Sequence, residues 1–339
     1  MADLKLPFFS KKEQRENEFE QEENNRFFYS NDESATSYVL SLNSGLGITP
    51  RQFAFHLFLF IATAITTTIS GTIFPYLLQE AELNQIIKIV TTSWVPITNG
   101  ILFSFTLLMI LGTHELGHYI ACRYYGVVAT LPYFIPVPPP LGVGTLGAFI
   151  KIQSPIYTRK ALFDIGISGP LAGFLFAIPA AIVGIYYAKP IASSVLPISF
   201  NNPMLFTLIS KAFGFHAELA WNPIWFACWV GLLATALNLL PVGQLDGGHV
   251  VYALFGRQGH RSVALLTTLA QAVIAYFAYI DSNWSGGFIY AIVLIVMFVM
   301  RHPKVVDEDA PLGICRKFLA FVALIVFILS FMPVPLRIN

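Results

Sequence analysis

Seven apolar stretches, each long enough or nearly long enough to cross a bilayer, constrain the fold of this chain more than any other feature. They lie near residues 53–74, 99–122, 163–187, 221–241, 262–280, 286–300 and 317–334, and the sixth is short. A hydrocarbon core about 30 Å thick needs about 20 helical residues, and a spanning helix satisfies its own backbone polar groups. The pattern predicts an all-α polytopic membrane protein with about six or seven transmembrane helices.

Composition supports a membrane protein and excludes other classes. Hydrophobic residues make up 55% of the 339 residues and charged residues only 12%, whereas a soluble domain is about 25% charged. The formal net charge of +1 argues against a nucleic-acid partner, because such partners are bound by strongly basic surfaces. We therefore expect the partners of this chain to be membrane proteins.

The distribution of charge divides the chain and orients it. Residues 1–50 are polar and rich in glutamate, which predicts a disordered acidic arm on the cytosolic side, followed by a membrane domain over 51–339. The predicted inner loops 123–162, 242–261 and 301–317 carry ten lysines and arginines, against four in the outer segments. Basic loops stay cytosolic, so we expect a cytosolic N-terminus in a bacterial plasma membrane.

The loop between the second and third predicted helices is unusually apolar and rich in proline and glycine. Prolines between residues 132 and 140 exclude a helix there, and residues 145–152 suit a short strand. Such a loop fits poorly in water. It is tolerated inside the membrane where protein or a watery cavity satisfies its backbone, so we predict a re-entrant β-loop or hairpin.

The second apolar stretch ends in the sequence His-Glu-Leu-Gly-His over residues 114–118. Histidines at i and i+4 lie on one face of a helix and can bind one metal ion, so His114 and His118 are candidate zinc ligands. Glu115 lies about 100° around the helix, beside the position of a reacting water, and is the candidate general base. Ionisable residues inside an apolar helix usually serve a metal, a cavity or a proton path.

A catalytic zinc site needs a third protein ligand and one open position. Asp246 is the best candidate, because it lies at the predicted cytosolic end of the fourth apolar stretch, on the same side as the two histidines. Asp164 instead looks like an N-cap for the third helix. A turn residue beside Gly247 and Gly248 remains the alternative interpretation of Asp246.

The His-Glu-x-x-His spacing is typical of zinc peptidases. A substrate of such a site must offer extended backbone, because the peptide bonds of a helix are covered by their own hydrogen bonds. We expect the substrate to be a single transmembrane helix that unwinds locally and adds as a strand to the predicted β-loop. The residues assigned to substrate binding are Gly144, Thr145, Leu146, Gly147, Ala148 and Phe149.

The paired motifs, His-Glu-Leu-Gly-His and the later Asn-x-x-Pro-x-x-x-Leu-Asp-Gly-Gly, resemble those of the site-2 protease family of intramembrane metalloproteases. The similarity covers roughly residues 99–260. It implies one zinc ion per chain, ligated by His114, His118 and Asp246, with Glu115 as the base and Asn238 holding the substrate. It also implies regulated intramembrane proteolysis that frees cytosolic fragments.

Other parts of the chain carry the resemblance further. Residues 168–173 are similar to the family's Gly-Pro segment, although the Gly169 and Gly173 step is equally typical of simple helix packing. Residues 141–153 correspond to its re-entrant β-loop. Gly243 stands where the commonest bacterial pattern has a second proline, and this variant is more similar to the cyanobacterial and chloroplast branch.

Two other classes remain open from the sequence. A membrane metal transporter could use the same ligands, but it would not need Glu115. A CAAX-type protease would need a downstream glutamate ligand, and Glu218 and Glu308 lack a helical motif. The sequence leaves open an adaptor, an upstream protease and the oligomeric state.

Overall fold

The computed structural model describes residues 48–78, 81–188, 198–215, 222–282, 284–299, 305, 307 and 311–338. The chain divides into two units, Met1–Gln52 and Phe53–Asn339, and apart from the first residues of the first helix all that follows concerns the second. The predicted acidic arm over 1–50 lies almost wholly outside the described residues, so its disorder stays a prediction.

Nine helices account for most of the described residues. They are α1 (Pro50–Leu77), α2 (Leu83–Thr92), α3 (Val95–Tyr124), α4 (Arg159–Tyr186), α5 (Met204–Ala212), α6 (Pro223–Asn238), α7 (Asp246–Ser282), α8 (Gly286–Val299) and α9 (Gly313–Ser330). Five of them, α1, α3, α4, α7 and α9, are long and apolar enough to cross a membrane, and α6 and α8 are shorter apolar helices. The predicted all-α polytopic membrane fold is confirmed.

The helix starts are set by short polar signals. The Asn222 side chain accepts a hydrogen bond from the Trp225 amide and Pro223 opens α6, as a cap followed by proline predicts. The prediction that Asp164 caps the third apolar stretch is wrong. Thr158 is the N-cap of α4 and accepts from the Ala161 amide, so α4 starts earlier and Asp164 lies inside it.

Helix α7 is two helices joined at a kink. Gly256 has φ 69° and ψ −174°, a backbone conformation that favours glycine and ends the first half. The guanidinium of Arg159, at the start of α4, donates hydrogen bonds to the carbonyls of Ala253 and Leu254 just before the kink, the latter at 2.9 Å. Arg159 therefore satisfies carbonyls that the kink leaves without helical partners.

The core of the molecule lies where α4 packs against α3, α6 and α7. Close contacts are made by small residues: a Cβ on Gly231 would lie 2.8 Å from Ile110, and one on Gly184 would lie 2.8 Å from the Trp225 backbone. Small residues at such contacts let membrane helices approach closely enough to gain dispersion energy. The large apolar side chains on the outer faces of α1, α7 and α8 are exposed, as lipid-facing surfaces are.

Two antiparallel strand pairs complete the fold: β1 (Tyr133–Pro136) with β2 (Thr145–Phe149), and β3 (Ile198–Phe200) with β4 (Leu336–Ile338). The first pair is a hairpin in the predicted position, although β2 ends three residues earlier than the predicted strand. The hairpin packs on α1, where Thr66 donates to the Gly144 carbonyl at 2.7 Å and Phe60 meets Phe134 with ring centroids 5.1 Å apart.

Candidate active site

Three side chains from two helices converge on one point inside the molecule. His114 Nε2 and His118 Nε2 are 3.1 Å apart, and each lies 3.2 Å from Asp246 Oδ2. Both histidines are buried, and the Asp246 side chain is 16% exposed. The structure therefore brings together the three predicted ligands although Asp246 is 128 residues from the nearer histidine.

The spacing of these atoms can be tested against the geometry of zinc. Ligand atoms about 2.0–2.1 Å from a tetrahedral zinc ion are about 3.3 Å from one another. The observed separations of 3.1 and 3.2 Å match this value, and two imidazole nitrogens with one carboxylate oxygen are a donor set that zinc prefers. The three residues fit a zinc ion and leave its fourth position open.

The orientation of His118 is fixed by a backbone carbonyl of α4. His118 Nδ1 donates a hydrogen bond to the Ile165 carbonyl at 2.7 Å, which leaves Nε2 without a proton and able to bind a metal. A Cβ on Gly169 would lie 2.1 Å from His118 Nε2, and one on Gly173 would lie 3.1 Å from His114 Cβ. The glycine step therefore gives the ligand histidines room beside α4.

Glu115 lies on α3 between the ligands and the hairpin. Its side chain is buried, and its carboxylate interacts with the backbone amide of Ile150, directly after β2. The carboxylate therefore lies near both the metal-binding cluster and the end of the strand. The arrangement fits a base that takes a proton from a water poised between cluster and substrate.

A tight turn between α6 and α7 places Asp246. Gly243 in this turn has φ 58°, and a Cβ on it would lie 2.4 Å from the Met297 carbonyl oxygen. Proline, fixed near φ −65°, cannot adopt this conformation, which explains physically why this variant of the motif has glycine there. A Cβ on Gly247 would lie 2.0 Å from the Leu239 carbonyl oxygen, so Asp246 is presented by close backbone packing.

Asn238 ends α6 beside the cluster. Its amide nitrogen lies 3.3 Å from His114 Nε2, so the amide group borders the place where a metal and a substrate carbonyl would meet. The O and N atoms of an asparagine side chain are interchangeable in this geometry. Either atom can therefore face the substrate.

The residues assigned to substrate binding differ in how far the hairpin exposes them. Gly144 is buried against α1, where a Cβ would lie 2.6 Å from the Thr66 carbonyl oxygen. The Thr145 hydroxyl donates to the Ile135 carbonyl at 2.9 Å within the hairpin. Leu146 is 78% exposed and Phe149 is 46% exposed. Among the described residues β2 pairs only with β1, so its second edge is open.

Sequence reasoning missed two groups that shape the site. The Ile165 carbonyl and the Ile150 amide are backbone groups, and no side-chain pattern marks them. The carbonyls of a kinked helix need hydrogen-bond donors, so a predicted kink in α7 would have indicated a contact such as that of Arg159. The kink itself was not predicted from the sequence.

Comparison with known proteins places these features in a family. Residues 102–280 match the model of peptidase family M50. The probable zinc metalloprotease EGY1, chloroplastic, of Arabidopsis thaliana is 31% identical over 243 residues, which are 68% of this chain and 42% of the relative. EGY2 of Oryza sativa subsp. indica is 27% identical over 240 residues, with the same two shares. No solved structure matches.

The matched segment covers more than half of the chain and contains both ligand motifs. The chain spans about two fifths of the length of the curated relatives it matches. The resemblance to the site-2 proteases, in the branch that includes chloroplast proteins, is confirmed, and the chain is an integral membrane protein. This chain belongs to peptidase family M50.

Proposed function

We propose that this chain is an intramembrane zinc endopeptidase that hydrolyses peptide bonds in or near transmembrane segments of membrane proteins. The observation that carries the proposal is the ligand triangle of His114, His118 and Asp246 with the Glu115 carboxylate beside it. A transporter would need the triangle but not the base.

The chemistry divides between the metal and the chain's own residues. A zinc ion held by His114, His118 and Asp246 would supply Lewis-acid polarisation of the scissile carbonyl and would acidify the attacking water. Glu115 accepts the proton from the attacking water and delivers it to the leaving amine. Asn238, next to His114, donates a hydrogen bond to the oxyanion or to the substrate backbone.

The open edge of β2 suggests how the substrate is held. The Lys151 amide donates to Thr130 and the Gln153 amide to Val128, on the β1 side of the hairpin. Successive amides of a strand point to opposite edges, so the Ala148 amide faces the open edge. A locally unwound segment of a single-span protein can pair with this edge. It would then run alongside Glu115, with exposed Leu146 free to contact its side chains.

Replacing Ala148 by proline tests the strand-addition step. Proline removes the amide at the open edge, so we expect kcat/KM for a transmembrane substrate to fall roughly two- to tenfold, the value of one hydrogen bond. Ala148→Gly keeps the amide and is the matched control. Zinc content should be normal in both variants, and equal cleavage rates in both would contradict strand addition.

The basic loops support a proposed membrane orientation. Glu115 lies about 14 Å from the C-terminal end of α3, which is the end that carries the basic loops. We place this end, and the exposed edge of Asp246, toward the cytosol, with water reaching the cluster from that side. In a bacterial plasma membrane, cleavage at this depth releases a cytosolic fragment.

Removal of zinc tests the proposed activity directly. Purified protein in detergent should cleave a panel of single-span substrates, lose at least about 99% of that activity in excess chelator, and regain it on adding zinc. The measurement is fragment yield on a gel with zinc content determined in parallel. Cleavage that persists in zinc-free protein would contradict the metal-dependent mechanism.

A further inference from the structure

Three polar side chains meet where α3, α4 and α9 come together. The Tyr125 hydroxyl donates to Asp164 Oδ2. Arg316 donates through Nε to Asp164 Oδ1 at 2.9 Å and through Nη2 to Asp164 Oδ2 at 2.7 Å. Arg316 Nη2 also donates to the Tyr125 oxygen at 3.1 Å. We call Tyr125, Asp164 and Arg316 the polar clamp.

The interaction between Arg316 and Asp164 is more directional than that of an ordinary surface ion pair. Arg316 engages both carboxylate oxygens of Asp164, and such bidentate pairs gain energy and fix direction. The two side chains are 27% and 24% exposed, so solvent screens the pair in part. The pair therefore contributes more to fixing the positions of the helices than to the free energy of unfolding.

The clamp connects to the ligand triangle through a single residue, Ile165. Asp164 is followed directly by Ile165, whose carbonyl accepts the 2.7 Å hydrogen bond from His118 Nδ1. Tyr125 is the C-cap residue of α3, the helix that carries His118 itself. The clamp thus ties together the helix that bears the ligand and the turn of α4 that orients it.

Arg316 reaches this place from outside the family segment. It lies near the start of α9, beyond the matched residues 102–280. A rotation of α4 by a few degrees would move the Ile165 carbonyl and with it the His118 ring, because Gly169 leaves no slack beside that ring. The bonds of the clamp to Asp164 restrict this rotation of α4.

We propose that Arg316 is a positioning residue for the metal: through Asp164 and Tyr125 it fixes the turn of α4 whose carbonyl orients His118. Helix α9 then contributes to zinc affinity without touching the ion. This inference rests on the metal site of the proposed function but not on proteolysis.

Zinc affinity measured by competition with a chromophoric chelator tests the clamp in the detergent-purified full chain. We expect Arg316→Gln to raise the zinc Kd about tenfold, the lower end of the range for groups that orient a ligand histidine, because Arg316 acts on His118 only through α4. Arg316→Lys should lose less, since an ammonium keeps the charge but not the bidentate fork. Lys317→Gln, which removes an exposed cation one residue away, should leave the Kd unchanged.

A second readout separates positioning from simple structural support. The thermal midpoint of the zinc-free protein is measured for the same variants, and Tyr125→Phe, which keeps the ion pair, provides a variant that folds if Arg316→Gln does not. A raised Kd in Tyr125→Phe or Arg316→Lys with an unchanged midpoint supports the proposal. A lowered midpoint with the wild-type Kd would overturn it and leave a purely structural tie.

The same experiment distinguishes failure of the clamp from failure of the proposed activity. Wild-type protein that binds zinc but cleaves no substrate contradicts the peptidase proposal, while the Kd comparison still decides the role of Arg316. Wild-type protein that binds no zinc contradicts both, because both need the ligand triangle.

Discussion

Glu115→Gln is expected to retain about one zinc ion per chain and to lose cleavage by about a thousandfold. Glutamine has nearly the same shape, so it can occupy the same place near the Ile150 backbone. The three ligand atoms are contributed by other side chains, so zinc content should not change. What the substitution removes is the capacity to take a proton from water at neutral pH.

The measurement pairs zinc content with cleavage of model single-span substrates, wild type beside variant. Asp246→Ala is the contrasting variant, because it removes a ligand atom and should lose both zinc and cleavage. If Glu115→Gln keeps zinc and full activity, Glu115 is not the base. Zinc in both proteins with cleavage in neither would instead favour a role for the cluster in binding or moving metal, in which a base beside the ligands has no part.

Short-range patterns in the sequence predicted the fold and two of the three candidate ligands, and a different signal predicted the third. Spans of apolar residues mark membrane helices directly. His114, Glu115 and His118 need only the helical repeat to share a surface. Asp246 is distant in sequence, but the sidedness of the basic loops put it at the same membrane face, and the glycines after it marked a close turn.

The contacts that support the site could not be predicted, because the sequence does not determine which of several possible partners each group takes. A carboxylate in an apolar stretch needs a partner, yet several basic residues lie on the same side, and Asp164 pairs with Arg316 from 152 residues away. Helix α2 did carry a readable signal, since Leu83, Ile86, Ile87 and Val90 recur at helical spacing. The strands of the β3–β4 pair are too short to show a recognisable sequence pattern.

Gly169→Ala should remove most zinc binding although no ligand atom is changed. In the interior of an exposed helix the substitution would add roughly 1 kcal/mol of stability, because glycine is the poorer helix former. Here the new methyl group would lie 2.1 Å from His118 Nε2 and within 2.5 Å of two other ring atoms. Steric overlap of that size exceeds the propensity gain, so either the ring or α4 must move.

Movement of the ring separates Nε2 from its partners. The ligand atoms are now 3.1 to 3.2 Å apart, close to the spacing zinc requires, and a displaced imidazole can no longer complete the triangle. We expect the zinc Kd to rise about a hundredfold, at the upper end for groups that orient a ligand. Competition with a chelator gives the Kd, and circular dichroism with size-exclusion elution establishes that the variant is folded.

Alanine substitutions at two further glycines allow the loss of zinc affinity to be compared across a series. A methyl group at Gly173 would lie 3.1 Å from His114 Cβ, while one at Gly112 would meet only the Phe134 ring at 3.7 Å. Loss of zinc affinity should therefore be large for Gly169→Ala, intermediate for Gly173→Ala and absent for Gly112→Ala. Equal affinities across the series would mean that α4 can shift away from α3 freely, and the Ile165 carbonyl would then not fix the position of His118.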